Sequence, residues 1–109
     1  MSKIRLTHKE KTYILEYNRN NAMMIERNGF SLEKLTDQPN VQIPLLVRGA
    51  FLMHHAKLKE KTIWEIYEAQ NDKTGLLQAL ATMYQETVTS LVGNEDEEVD
   101  EKNATWELV

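Results

Sequence analysis

The sequence predicts an α+β fold: an N-terminal β-hairpin, a mainly helical body of about five helices, and a disordered acidic C-terminal tail. Three observations carry that reading. Apolar residues alternate in period two near the start, recur in period three to four from about residue 22 to 91, and nearly vanish in an acid-rich run after Gly93. At 109 residues the chain is expected to form one domain, residues 1–92, followed by a tail over 93–109.

The hairpin comes first. Ile4 and Leu6 alternate with Lys3, Arg5 and Thr7, as in a half-buried strand. His8-Lys9-Glu10-Lys11 is polar and turn-like. Thr12-Tyr13-Ile14-Leu15-Glu16-Tyr17 is aromatic and β-branched, with Tyr13, Leu15 and Tyr17 sharing one face. Two strands alone are marginal in water, so this face needs helices or another chain.

Asn18 or Asn20 can cap a helix through Ala22-Met23-Met24-Ile25-Glu26-Arg27. Gly29 supplies a left-handed residue at its end, and Phe30 folds back on the last turn. Ser31 opens a short helix with Leu32 and Leu35, halted by Asp37-Gln38-Pro39-Asn40. The stretch from Val41 to His55 is apolar nearly all round, with Pro44 in its first turn, and predicts the buried centre of the fold. Lys57, Lys59 and Lys61 crowd its expected C-terminal end, where the helix dipole favours cations. Thr62-Ile63-Trp64-Glu65 matches a capping box that opens a helix through Ile66, Tyr67 and Ala69, broken at Asn71-Asp72-Lys73. The last helix carries Leu76, Leu77, Leu80, Met83, Tyr84, Val88 and Leu91 on one stripe.

Composition narrows the function. There is no cysteine, which removes disulfides, thiolate zinc sites and cysteine nucleophiles and suits a reducing compartment. No apolar run approaches the roughly 18 residues of a membrane helix. The start lacks the apolar stretch of a signal peptide, so a cytoplasmic protein is expected. From Gly93 to Val109 seven acids face Lys102 alone, a net −6, which leaves +2 on residues 1–92. Such a tail repels nucleic acid phosphates.

No chemical motif emerges. His54-His55 are neighbours, about 100° apart on a helix, and neither has a ligand four residues on, so packing or exposure is the better reading than a metal site. Glu65 and Glu68 have the spacing of a solvated helix face, with no partner for acid–base work. A helix-turn-helix over residues 62–91 would place its recognition helix where residues 74–92 hold neither Arg nor Lys. No metal, cofactor, nucleic acid or membrane is expected, and no enzymatic activity. Met23, Met24, Met53 and Met83 could form an adaptable contact surface or fill the core; Met53 is expected in the core. Trp106, Leu108 and Val109 close the acidic spacer. They read equally as a docking segment, a harmless end, or a segment folding back on its own domain.

An ordered series runs through the chain: Tyr13-Ile14-Leu15-Glu16-Tyr17 with Arg19; Met24-Ile25-Glu26-Arg27-Asn28-Gly29-Phe30; Pro44, then Gly49-Ala50-Phe51-Leu52 and His54-His55. Ile63-Trp64-Glu65-Ile66-Tyr67, Met83-Tyr84, Glu86-Thr87-Val88 and the acidic tail with Trp106 complete it. Over nearly its full length the chain resembles small tail assembly chaperone-like proteins of phages and prophages of Gram-positive bacteria. The resemblance implies no catalytic residue. It implies a protein of the bacterial host cytoplasm that binds the tape measure protein, helps recruit the tail tube protein, and is absent from the finished tail. Many such chaperones also exist in a frameshift-extended form. A homo-oligomer is expected from the hairpin's unpaired edges together with a protein-coating role. Two other readings stay open: a regulator inhibiting a host enzyme, with the acidic tail as a nucleic acid mimic, and a structural head–tail connector. Contact residues expected for any of these are Trp106, Leu108 and Val109 in the tail, then Trp64 and Tyr67 in the body.

Overall fold

Strand β1 (Lys3–His8) runs antiparallel to β2 (Lys11–Glu16), with Leu6 opposite Tyr13 and His8 opposite Lys11. The computed structural model describes residues 3–92; the tail expected over 93–109 lies outside them. Leu6, Leu15 and Tyr17 enter the core and Tyr13 is half-buried, so the alternating pattern chose the correct face. The two-residue turn holds Lys9 at φ 51° and Glu10 at φ 67°. A primed hairpin turn needs positive φ at both positions, which Asn-Gly meets with less strain than Lys-Glu. Lys9→Asn with Glu10→Gly is therefore expected to stabilise the protein by about 1 kcal/mol, read from the urea midpoint. An unchanged or lower midpoint would mean that the Lys9 side chain, which lines a hollow with Thr62, Glu65 and Ile66, contributes more there than the turn strain costs.

Helix α1 (Arg19–Arg27) starts in a reciprocal cap: Asn18 Oδ1 accepts from Asn21 N at 2.9 Å, and Asn21 Oδ1 accepts from Asn18 N at 2.6 Å. Its end is the expected one. Gly29 sits at φ 102°, Gly29 N donates to Glu26 O, and Phe30 N donates to Ile25 O, the Schellman pattern. The short helix after Ser31 is a single 3-10 turn, Leu32–Lys34.

Helix α2 (Pro39–Leu52) is the hub, packing on β2, α1, the 3-10 turn and two later helices. Leu46, Val47, Ala50 and Phe51 are buried. Two boundaries differ from expectation. Pro39 opens the helix rather than halting the previous one, since a proline at the first position gives up no helical hydrogen bond. Pro44 thus lies inside the helix, not in its first turn. The helix also stops at Leu52, before His54-His55, and Met53 is 43% exposed rather than in the core. Lys57 and Lys59 consequently belong to the connection that follows, not to the last turn of α2.

Helix α3 (Glu60–Glu68) has its N-cap position at Lys59, three residues ahead of the expected cap Thr62, with Glu60 in the first turn where the dipole favours an acid. Thr62 is already helical there and cannot serve as the cap. Helix α4 (Lys73–Val92) is capped by Asp72, whose Oδ1 accepts from Gly75 N at 3.0 Å. Leu80, Met83 and Tyr84 are buried, and Leu76, Leu77 and Val88 are partly so. Among the described residues the architecture is the α+β one, a hairpin followed by four α-helices and one 3-10 turn.

Candidate functional site

Three buried polar side chains fix how the elements meet. Asn21, 5% exposed, donates through Nδ2 to Glu16 O at 2.9 Å and to Gly49 O at 2.8 Å, joining α1 to β2 and α2. Gln42, 1% exposed, accepts from Ser31 N at 2.9 Å and donates to Gly29 O, holding the loop after α1. The Tyr17 hydroxyl donates to Leu46 O, and its ring meets Tyr84 edge-on. Burial, then the neighbouring Tyr84, raises the Tyr17 phenol far above its ordinary range, so it stays a donor. Tyr84 donates to Glu26 and packs edge-on to Phe30 at 4.9 Å.

The two histidines tie the end of α2 to β2. His54 Nε2 lies 2.8 Å from Glu16 Oε1, and His55 Nε2 accepts from Ile14 N at 3.0 Å. The His55 ring also meets Tyr13 edge-on at 5.2 Å. Partial burial, then His54, lowers the His55 pKa, which keeps the ring in the neutral form that an acceptor requires. Their role is packing and tethering. Among the described residues no group of three or more His, Cys, Asp or Glu is placed to hold a metal ion.

A surface concavity lies between α2 and α3. A cleft of about 360 Å³ is lined by Pro44, Arg48, Glu60, Lys61, Ile63 and Trp64. The interior proline of α2 contributes one apolar wall, and Trp64 of α3 the other. Arg48 and Glu60 stand 3.6 Å apart at the rim, both well exposed, so the pair adds little stability and can open for a guest. Trp64 is half-buried, its ring 5.1 Å from that of Tyr67. Tyr67 itself is 5% exposed. Of the contact residues expected in the body, Trp64 therefore offers surface, while Tyr67 is a core residue that supports it. Burial, then Glu68, raises the Tyr67 phenol. Trp106, Leu108 and Val109 lie outside the described residues.

The cleft can take one apolar side chain while the rim charges meet polar groups around it. Pro44 and Arg48 were not singled out as contact residues by sequence reasoning; their one-turn spacing on α2 was the available signal. Glu65 and Glu68 are exposed, as a solvated face requires. Met23, Met24 and Met53 are exposed and Met83 is buried, so the methionines divide between surface and core. No helix among the described residues is long and apolar enough to cross a membrane.

A family model described as a domain of unknown function, DUF5055, matches residues 1–108. The chain belongs to the DUF5055 family. Comparison with curated proteins gives no match, and comparison with solved structures gives none either. In this DUF5055 chain the Trp64 cleft brings together a half-buried aromatic, a helix-interior proline and three charges from two separate helices.

Proposed function

We propose that this DUF5055 protein is a tail assembly chaperone of a long-tailed phage or prophage, acting without catalysis in the bacterial host's cytoplasm. It binds the tape measure protein and assists assembly of the tail tube. The sequence resemblance supports the choice of partner. The observation that carries the binding role is the half-exposed Trp64 in the cleft between α2 and α3. Tryptophan is a frequent interface anchor, because one side chain buries a large apolar area and still donates a hydrogen bond. Helical stretches of a partner present Leu, Met or Phe at one-turn spacing, and a cleft of this size accepts such a residue.

Calorimetric titration against fragments of a tape measure protein from the same phage or prophage genome tests the proposal. Trp64→Ala should weaken binding by about 1–3 kcal/mol. Arg48→Glu, on an exposed rim position that folding does not need, should weaken it by a smaller amount. A parallel Trp106→Ala variant assigns any share held by the C-terminal segment. Failure of the unaltered protein to bind any fragment sinks the chaperone reading. Binding that ignores both Trp64 and Arg48 keeps the chaperone and moves its contact surface elsewhere.

A further inference from the structure

The two edges of the hairpin are not equivalent. On β2 two of the outward-pointing groups are engaged: Ile14 N–H donates to His55, and Glu16 C=O accepts from Asn21. Since Ile14 N–H points away from β1, Arg5 and Ile14 form a non-hydrogen-bonded pair. By alternation so do Lys3 with Glu16 and Thr7 with Thr12. The N–H and C=O groups of Lys3, Arg5 and Thr7 therefore all point off the outer edge of β1. Among the described residues nothing pairs with them, and all three side chains are exposed. A strand edge of this kind accepts a further strand.

Charge selects the occupant. Lys3 and Arg5 project from the solvent face of β1 two residues apart. Two β1 strands paired antiparallel about Arg5, the middle one of the three outward-pointing residues, would set Arg5 against Arg5 of the second copy, which like-charge repulsion opposes. The complementary strand carries acids at i and i+2 with an apolar residue between. Glu98-Val99-Asp100 has that pattern, within the stretch that gives residues 93–109 their net −6. Opposite β1 it would place Glu98 and Asp100 beside Arg5 and Lys3, and Val99 on the face of Ile4 and Leu6.

We propose that the outer edge of β1 receives the Glu97–Glu101 segment of a second copy of the chain as an added strand. Each copy then carries both halves of the contact, so two copies can exchange segments in a closed dimer, or several can associate head to tail in a ring or a short filament. This surface is separate from the Trp64 cleft and stands independently of the tail chaperone reading.

Sedimentation velocity on the full chain, across protein concentration and salt, is the test. The unaltered protein should exceed the mass of one chain at high concentration in low salt and return toward it in high salt. Lys3→Glu with Arg5→Glu gives one variant, and Glu98→Lys with Asp100→Lys the other. Each alone should associate at least tenfold more weakly than the unaltered chain, while an equimolar mixture regains association because the charges again complement. The substituted β1 side chains are exposed, so circular dichroism should be unchanged, and amide exchange at Lys3, Arg5 and Thr7 should slow on association. A chain that stays monomeric at every concentration overturns the proposal, as do variants that associate undiminished. Protection of those three amides in a monomer would place the strand in its own chain and overturn it equally.

Discussion

Replacing Gly49 by alanine is expected to destabilise the protein by about 2–3 kcal/mol, although alanine in a helix interior ordinarily gains about 1 kcal/mol over glycine. The reason is the close approach of three elements at this point of α2. A Cβ built on Gly49 would stand 2.5 Å from the Tyr17 hydroxyl oxygen and 2.6 Å from Ile25 Cγ2. Neither neighbour can withdraw cheaply. The hydroxyl is held by Leu46 O, and Ile25 is 3% exposed between α1 and α2. Relief requires α1 and the end of β2 to move off α2, which also lengthens both Asn21 hydrogen bonds. Thermal unfolding gives the first measure. A cycle with Ile25→Ala gives the second: removing Cγ2 should make the double variant more stable than the two losses summed. Strict additivity, or a gain on Gly49→Ala alone, would show that the helices separate without cost.

The same site shows where sequence reading succeeds and where it stops. Local signals were legible because their physics is local. Gly29 at positive φ, the Asn18 cap, the alternation of Ile4 and Leu6 and the Leu80–Met83–Tyr84 stripe each follow from chain geometry within a few residues. Asn21, Gln42 and Gly49 were not legible as core residues. Each is set by a segment far along the chain: Gly49 for Asn21, the turn at Gly29 for Gln42, Tyr17 for Gly49. A polar residue in a helix carries no local mark of being buried, and a glycine none of being crossed closely. The missed start of α3 has a related cause. Thr62-Ile63-Trp64-Glu65 fits a cap locally, yet the helix extends back to Glu60, and Glu60 stands opposite Arg48 across the cleft rim.

The candidate site was half legible for the same reason. Trp64 could be named from its residue type alone, since a tryptophan beside exposed glutamates is a natural anchor. Its cleft could not, because Pro44 and Arg48 join it only once α2 and α3 pack. Tyr67 misleads by residue type, its ring being taken into the core three residues further along the same helix. The hairpin's edges followed that pattern too. An unpaired edge was foreseeable from two isolated strands, whereas the closure of one edge by His55 and Asn21 depends on α2 ending beside β2.

Asn21→Leu should cost about 3 kcal/mol, through loss of hydrogen bonds rather than loss of volume. Leucine has the same number and branching of side-chain heavy atoms as asparagine but leaves Glu16 O and Gly49 O without their donor in a buried position, and removes the acceptor for Asn18 N. Leaving a buried polar group unsatisfied costs about 1–3 kcal/mol, and the reciprocal cap of α1 is lost as well. For a domain whose whole stability is about 5–15 kcal/mol this is a large fraction, visible as a drop of about 10–20 °C in Tm. Asn21→Asp separates the causes. It keeps the shape and the acceptor for Asn18 N but turns a carboxylate oxygen toward two carbonyl oxygens, so at neutral pH it should cost at least as much as leucine. In acid the carboxyl group gains a proton and can donate to one of the two carbonyls. Measured against the unaltered protein at each pH, the aspartate deficit should therefore shrink as pH falls from neutral toward the ordinary carboxylate range, because burial against two carbonyl oxygens raises the folded-state pKa above the unfolded one, while the leucine deficit stays constant. Equal deficits for both variants at every pH would show that packing volume, and not the two donated hydrogen bonds, is what Asn21 contributes.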